Sequence, residues 1–182
     1  MPRPADPGRN ALLTAGAETA ERSGLRGLSV NAVVEAAGMA KGSFYHHFPS
    51  RREYVLALHR RYHDELTELV LAAVAGMPVG AARIRVATTA YLDACRHTRG
   101  TKAFLAQSRT DVDLIEAMQE RNERVAVRLE PDLTVLGWPD PHATATMYVA
   151  MIAEIALLEL YAAAERPELR AAALTMIENS PA

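Results

Sequence analysis

The chain has 182 residues, nearly half of them apolar and 23% charged, enough for a full domain or a small module plus a larger one, which excludes a mini-protein held by staples. Its one cysteine, Cys95, cannot close an intrachain disulfide, and no Cys/His cluster has zinc-finger spacing, so the composition points to a reducing compartment, the cytoplasm. The net charge of −2 conceals an asymmetry: residues 1–62 hold nine Lys/Arg against five acids, a net +4, and the remainder eleven against seventeen, a net −6. A basic head on an acidic body suits the head alone to a polyanion.

Met1 to Arg9 carries prolines and charges rather than an apolar stretch, so no secretory signal is readable. Alternating strand patterns are nearly absent, and the fold is expected to be all-α. Breakers divide the chain into helices at about 8–23, 29–36, 40–47, 50–76, 80–97, 101–109, 111–136, 141–164 and 167–178. Ser29 can cap the second helix and Gly38 can end it in the left-handed conformation. The turn Ala37-Gly38-Met39-Ala40 then joins two short helices, which is the helix-turn-helix unit. Pro49 closes the third helix, and Ser50 with Glu53 reads as a capping box for the long fourth one.

A three-helix core is expected from Leu12, Leu13, Ala17 and Ala20, from Val30, Val33 and Val34, and from Met39, Phe44 and Phe48. With Phe44 and Phe48 one turn apart on one face, the other face of the third helix presents Lys41, Ser43, Tyr45, His46 and His47. One cation, two hydroxyls and two imidazoles suit phosphate and base-edge contacts. In the fourth helix His59 and His63 stand one turn apart with Asp64 beside them, a spacing that can hold a transition metal. With no third assured ligand, and with Arg60, Arg61 and Asp64 around them, the pair reads as a solvated face, and no metal or cofactor is assigned.

From Ala143 to Ala164 the chain is apolar on almost every side, with only Glu154 and Glu159 charged. Its length would allow a membrane span, but it is Ala-rich, has an acid near its middle and stands alone between polar segments, so no membrane is assigned. A helix apolar all round is otherwise buried on two sides, here by its own subunit and by a second copy. With 167–178 it makes an antiparallel pair, and two such pairs across a two-fold axis make a four-helix interface.

The run Val33-Val34-Glu35-Ala36-Ala37-Gly38-Met39-Ala40-Lys41-Gly42-Ser43-Phe44-Tyr45-His46-His47-Phe48-Pro49-Ser50-Arg51, preceded by Ser29-Val30, resembles the tetracycline-repressor (TetR) family of bacterial regulators. The resemblance covers about residues 9–62; beyond them it extends only to the helical layout. Its departures are Val33-Val34 where Ile-Ala is usual, Met39-Ala40 where Val-Ser is usual, Arg51 for Lys, Gly16 for Ala and Tyr54 for Leu. The resemblance implies a DNA-binding domain over 1–49 and a ligand-binding and dimerisation domain over 50–182, joined by helix 50–76. It implies that Lys41, Gly42, Ser43, Tyr45 and His46 face the major groove of a palindromic operator, with Tyr45 and Arg51 on phosphates and Ser29 at the interface. It also implies a small-molecule inducer held between the body's helices and respacing the two DNA readers; Tyr91, Cys95, Phe104, Gln107, Met118, Asn122, Tyr148 and Met151 are the candidate contacts. Repression is the direction the family favours.

Catalysis has little to stand on: Cys95 and His97 are two apart on a helix and point in different directions, and no Ser-His-acid set, phosphate-cradling loop or paired carboxylates can be singled out. A helical binding protein that no longer reads DNA is the other alternative, and Lys41, Tyr45 and Arg51 argue against it.

Overall fold

Three of the four helices that start in the head begin at a short polar side chain that accepts from the backbone, whereas the third starts after Ala40 with no side-chain cap. The computed structural model describes residues 6–24, 27–98 and 112–179, and among these there are helices and no strands. The helices are α1 (Pro7–Ser23), α2 (Val30–Ala36), α3 (Lys41–His47), α4 (Arg51–Ala73), α5 (Ala81–His97), α6 (Val112–Val135), α7 (Pro141–Ala162) and α8 (Pro167–Glu178). The helix expected at 101–109 lies outside the described residues, as do Phe104 and Gln107.

The described residues form two units. The first holds α1 to α3, α4 through Tyr62, and the start of α6 through Ile115; the second holds the rest of α4, then α5, the remainder of α6, α7 and α8.

In the first unit Asp6, Ser29 and Ser50 accept from the backbone N–H of Arg9, Ala32 and Glu53, each at 3.1 Å. Each such cap contributes about 1 kcal/mol by answering an orphan donor. Gly38, at φ +63°, turns α2 toward α3, and the Met39 N–H closes on the Val34 carbonyl at 2.8 Å. Leu12, Leu13, Ala20, Val33, Val34, Phe44 and Phe48 are buried as the apolar spacing requires, whereas Ala17, Val30 and Met39 are only half-buried. Leu28, Tyr54 and Leu58 complete this core.

Tyr54 is its centre. Its ring packs 4.9 Å from Phe48 and 5.0 Å from Phe44, and its hydroxyl donates to the Leu12 carbonyl at 2.7 Å. That hydroxyl occupies the place a side chain at position 16 would take: a Cβ on Gly16 would fall inside it. The two departures from the family pattern at 16 and 54 are therefore one feature, a glycine making room for a phenol.

In the second unit, polar ties hold the helix ends. Asp132 of α6 accepts from the Gly80 N–H at 2.8 Å and from Arg83 Nε and Nη2 at 2.8 and 2.6 Å, fixing the start of α5. The Trp138 indole donates to the Ile177 carbonyl at 2.9 Å, binding the turn after α6 to the end of α8. Asp140 caps α7 at the Ala143 N–H, 2.9 Å away. Glu159 of α7 is 1% exposed and takes both arms of Arg170 from α8, at 2.6 and 2.8 Å. Length and composition would let α7 cross a membrane, but its one fully buried carboxylate is matched by a guanidinium from the next helix, which closes α7 and α8 into a hairpin.

Candidate functional site

Exposure on α3 follows from its two phenylalanines. Phe44 and Phe48 are drawn into the core, which leaves Lys41, Gly42, Tyr45 and His46 exposed and Ser43 half-buried. The Tyr45 ring stands edge-on to Phe44, 5.4 Å between centroids, and is 50% exposed, so half of this side chain stays open to solvent while its ring leans on the core. Nothing lies within 4 Å of where a Gly42 side chain would be, so this stretch of backbone is open to close approach. His47 is half-buried, turned toward α1, where its Nδ1 meets the Asp6 carboxylate at 3.0 Å.

Ser29 and Arg51 flank this face with duties of their own. Ser29 caps α2, and Arg51, exposed at the first position of α4, donates from Nε to the Leu28 carbonyl at 3.0 Å. The guanidinium is thereby directed across the start of α2. A cation fixed beside the amino end of α4 adds its charge to that of the helix dipole. The arrangement can hold phosphates at two helix starts while α3 presents hydroxyl, imidazole and ammonium groups to base edges.

The second unit contains a cavity of about 390 Å³. Leu66 and Val70 of α4, Ile84 of α5, Val125 and Leu129 of α6 and Ile152 of α7 make it mainly apolar. Of the expected ligand contacts, Tyr91 and Tyr148 line it; Cys95, Met118, Asn122 and Met151 are not among its lining residues. Cys95 is buried, and burial pushes its thiol up to about 12, so it is no ready nucleophile. The Tyr148 hydroxyl shares a 2.8 Å hydrogen bond with Thr88, and burial raises its phenol to about 12. Asn122 is half-buried and its amide oxygen accepts from Nε and Nη2 of Arg121, at 3.2 and 2.7 Å.

His63, Thr88 and Arg121 line the cavity too, and no sequence signal marked them as ligand contacts. His59 and His63, expected on a solvated face, are 2% and 5% exposed. The charged neighbours Arg60 and Asp64 do point outward, but the helix turns its two imidazoles the other way. Arg121 Nη1 lies 3.0 Å from His63 Nδ1. A guanidinium only donates, so this ring nitrogen accepts and the proton of the neutral imidazole sits on Nε2. Among the described residues no three His, Cys, Asp or Glu side chains come together as a metal site.

Residues 12–58 match the sequence profile of the bacterial regulatory proteins of the tetR family. Among curated proteins, the chain is 31% identical over 94 residues to the HTH-type transcriptional activator FasR of Mycolicibacterium smegmatis, covering 52% of this chain and 43% of that protein. It is 35% identical over 66 residues to the HTH-type transcriptional repressor NemR of Escherichia coli, covering 34% and 33%. The chain thus spans less than half the length of these relatives. Among solved structures, the multidrug binding protein EbrR complexed with imidazole superposes with a TM-score of 0.79 at 21% identity, over 98% of each chain, a likeness of fold.

Proposed function

We propose that this chain, a member of the TetR family of bacterial regulatory proteins by its helix-turn-helix module and its fold, regulates transcription by binding operator DNA and leaves it when a small molecule fills the body. The observation that carries this reading is the exposed face of α3, with Lys41, Gly42, Ser43, Tyr45 and His46, held on a core in which Phe44 and Phe48 are buried. Ser29 and Arg51 complete the interface. Repression is proposed, with NemR as the relative named a repressor and FasR as the one named an activator. In this reading the DNA-binding domain spans residues 1–49 and the ligand-binding and dimerisation domain 50–182, in the cytoplasm, with a regulatory and not a catalytic role.

Selection of bound genomic DNA tests this first, and failure to retain any fragment removes the reading. On the operator so found, Tyr45→Ala and Arg51→Ala are expected to weaken binding to all sequences alike. For Arg51 the slope of log affinity against log salt falls by about one, as expected when one phosphate is no longer neutralised. An unchanged slope in a gel-shift series would remove Arg51 from the phosphate-binding groups.

A homodimer through α7 and α8 is part of the proposal. Met147, Leu158 and Tyr161 are 74%, 37% and 68% exposed, and at 11 and 14 residues apart they share one face of α7; Met176 on α8 is 62% exposed. A second copy is the occupant that places two α3 helices on one operator. Sedimentation at micromolar concentration is expected to show a dimer, and Met147→Glu with Tyr161→Glu is expected to convert it to a monomer. A stable wild-type monomer would refute this part.

The inducer is proposed to occupy the cavity of the second unit, against Tyr91 and Tyr148. Binding there releases DNA only to the extent that it favours a form with the wrong operator spacing, and α4, which contributes to the cavity wall and continues from the head, is the covalent route for that coupling.

A further inference from the structure

Three arginines of the second unit are drawn out of solvent to different degrees, and two of them meet a carboxylate. Arg83 grips both oxygens of Asp132, and Arg170 grips both of Glu159. The third, Arg121, is 8% exposed and lines the cavity, yet its partners are all neutral: His63 Nδ1 at 3.0 Å and the Asn122 amide oxygen at 3.2 and 2.7 Å. No carboxylate among the described residues pairs with it. A buried guanidinium held by neutral acceptors is oriented, but its charge is not balanced.

A second feature lies in the same cavity. The Tyr91 hydroxyl is buried and makes no close hydrogen bond; its polar neighbours are Cys95 and the Arg121 guanidinium, neither of which is a good acceptor for its proton. A phenol shut away from water without a good acceptor is costly unless something else takes its proton. One buried cation without a carboxylate and the Tyr91 hydroxyl therefore border a space walled mainly by apolar side chains, in which Arg83 and Asp132 are paired with each other, Thr88 with Tyr148, and Arg128 is exposed.

We propose that the cavity binds an apolar monocarboxylate, whose carboxylate lies on the Arg121 guanidinium and accepts from the Tyr91 hydroxyl while its hydrocarbon body fills the space toward Leu66, Ile84 and Ile152. The proposal rests on the reading that this cavity is the ligand site. A neutral ligand would leave the charge unbalanced, and a phosphate monoester would bring about two charges to one uncompensated buried cation. The cavity volume of about 390 Å³ suits a body of roughly 8–12 carbons, at the small end of ligand sites.

Isothermal titration of the full chain with octanoate, decanoate and dodecanoate, beside the amides of the same chain length, tests this. The acids are expected to bind at least ten-fold more tightly than the amides. Arg121→Met is expected to abolish that preference, with amide binding unchanged, and Tyr91→Phe to weaken the acids about three-fold or more. Should Arg121→Met fold poorly, Arg121→Lys keeps the charge but not the fork, and an intermediate preference is expected from it. Acid and amide binding wild type equally, an Arg121→Met protein that keeps the preference, or no binding by any of the three acids would each overturn the proposal. Gel shifts with the same compounds separate it from the induction reading: an acid held by Arg121 that leaves the operator complex intact sinks induction and spares the site, whereas DNA release by the amides alone does the reverse.

Discussion

Replacing Arg170 by methionine is expected to cost about 3–5 kcal/mol of stability, because it strands a buried carboxylate. Glu159 is 1% exposed and takes Arg170 Nε at 2.6 Å and Nη2 at 2.8 Å, with the Arg166 N–H at 3.0 Å as its other donor. Arg170 Nη1 also reaches Asp93 of α5 at 2.7 Å, so one guanidinium joins three helices. Without it Glu159 stays buried on one backbone N–H, and Asp93 loses its tie to α8. Urea unfolding at fixed protein concentration reads the loss, and Glu159→Leu in the same chain is expected to recover much of it, because an apolar pair of similar volume removes the stranded charge. A loss under 1 kcal/mol would mean that the hairpin is held by its apolar contacts alone.

The same site sets part of the acid limb. Burial pushes the Glu159 carboxyl upward, but the hydrogen bonds from Arg170 and from the Arg166 N–H pull it down further, and it ends below its ordinary value of 4.5. A carboxylate with a depressed folded-state pKa contributes stability in full above its unfolded value, and loses it as the pH falls through the folded one. In Arg170→Met the downward pull weakens and burial remains. The stranded carboxyl then protonates at higher pH, which relieves the cost of its burial, so the stability lost in Arg170→Met is expected to shrink as the pH falls through that range, as followed by urea unfolding at several pH values.

The second large effect is expected at Gly16. A methyl group there falls inside the Tyr54 hydroxyl, so Gly16→Ala forces the ring, its hydrogen bond to Leu12 and its packing on Phe44 and Phe48 to shift. Overpacking of this kind costs about 1–3 kcal/mol, partly offset by the gain of about 1 kcal/mol in helix propensity from glycine to alanine. Combining Gly16→Ala with Tyr54→Leu, which puts the residues usual in the family at both positions, is expected to restore stability, with a coupling of at least about 1 kcal/mol between the two sites. Gly16→Ala alone is expected to lower operator affinity as well, because the same aromatic core carries α3. Additive effects in the double variant would show that position 16 and the phenol do not share this space.

Most of the head was legible because its signals are local. Ser29 and Ser50 act on N–H groups three residues away, Gly38 acts on its own φ, and Phe44 and Phe48 fix the exposed face of α3 by a spacing of four. The body yielded less. Two of the residues expected to meet a ligand, Tyr91 and Tyr148, line the cavity, since bulky side chains at a half-polar helix face are visible in sequence. The histidines of α4 look solvated in sequence because their neighbours are charged, while burial is set by what packs on the opposite face.

The short-range commitments are written along the chain: helices, caps, the turn at Gly38 and the two-phenylalanine anchor of α3. Which polar groups went inside, and whom they met there, was settled by the packing of distant helices. Arg121 finds His63 across 58 residues and Thr88 finds Tyr148 across 60, pairings that no local periodicity encodes. The physical reason is that a helix's pattern specifies which face is apolar, whereas the cost of a buried charge depends on the groups that distant helices bring to it.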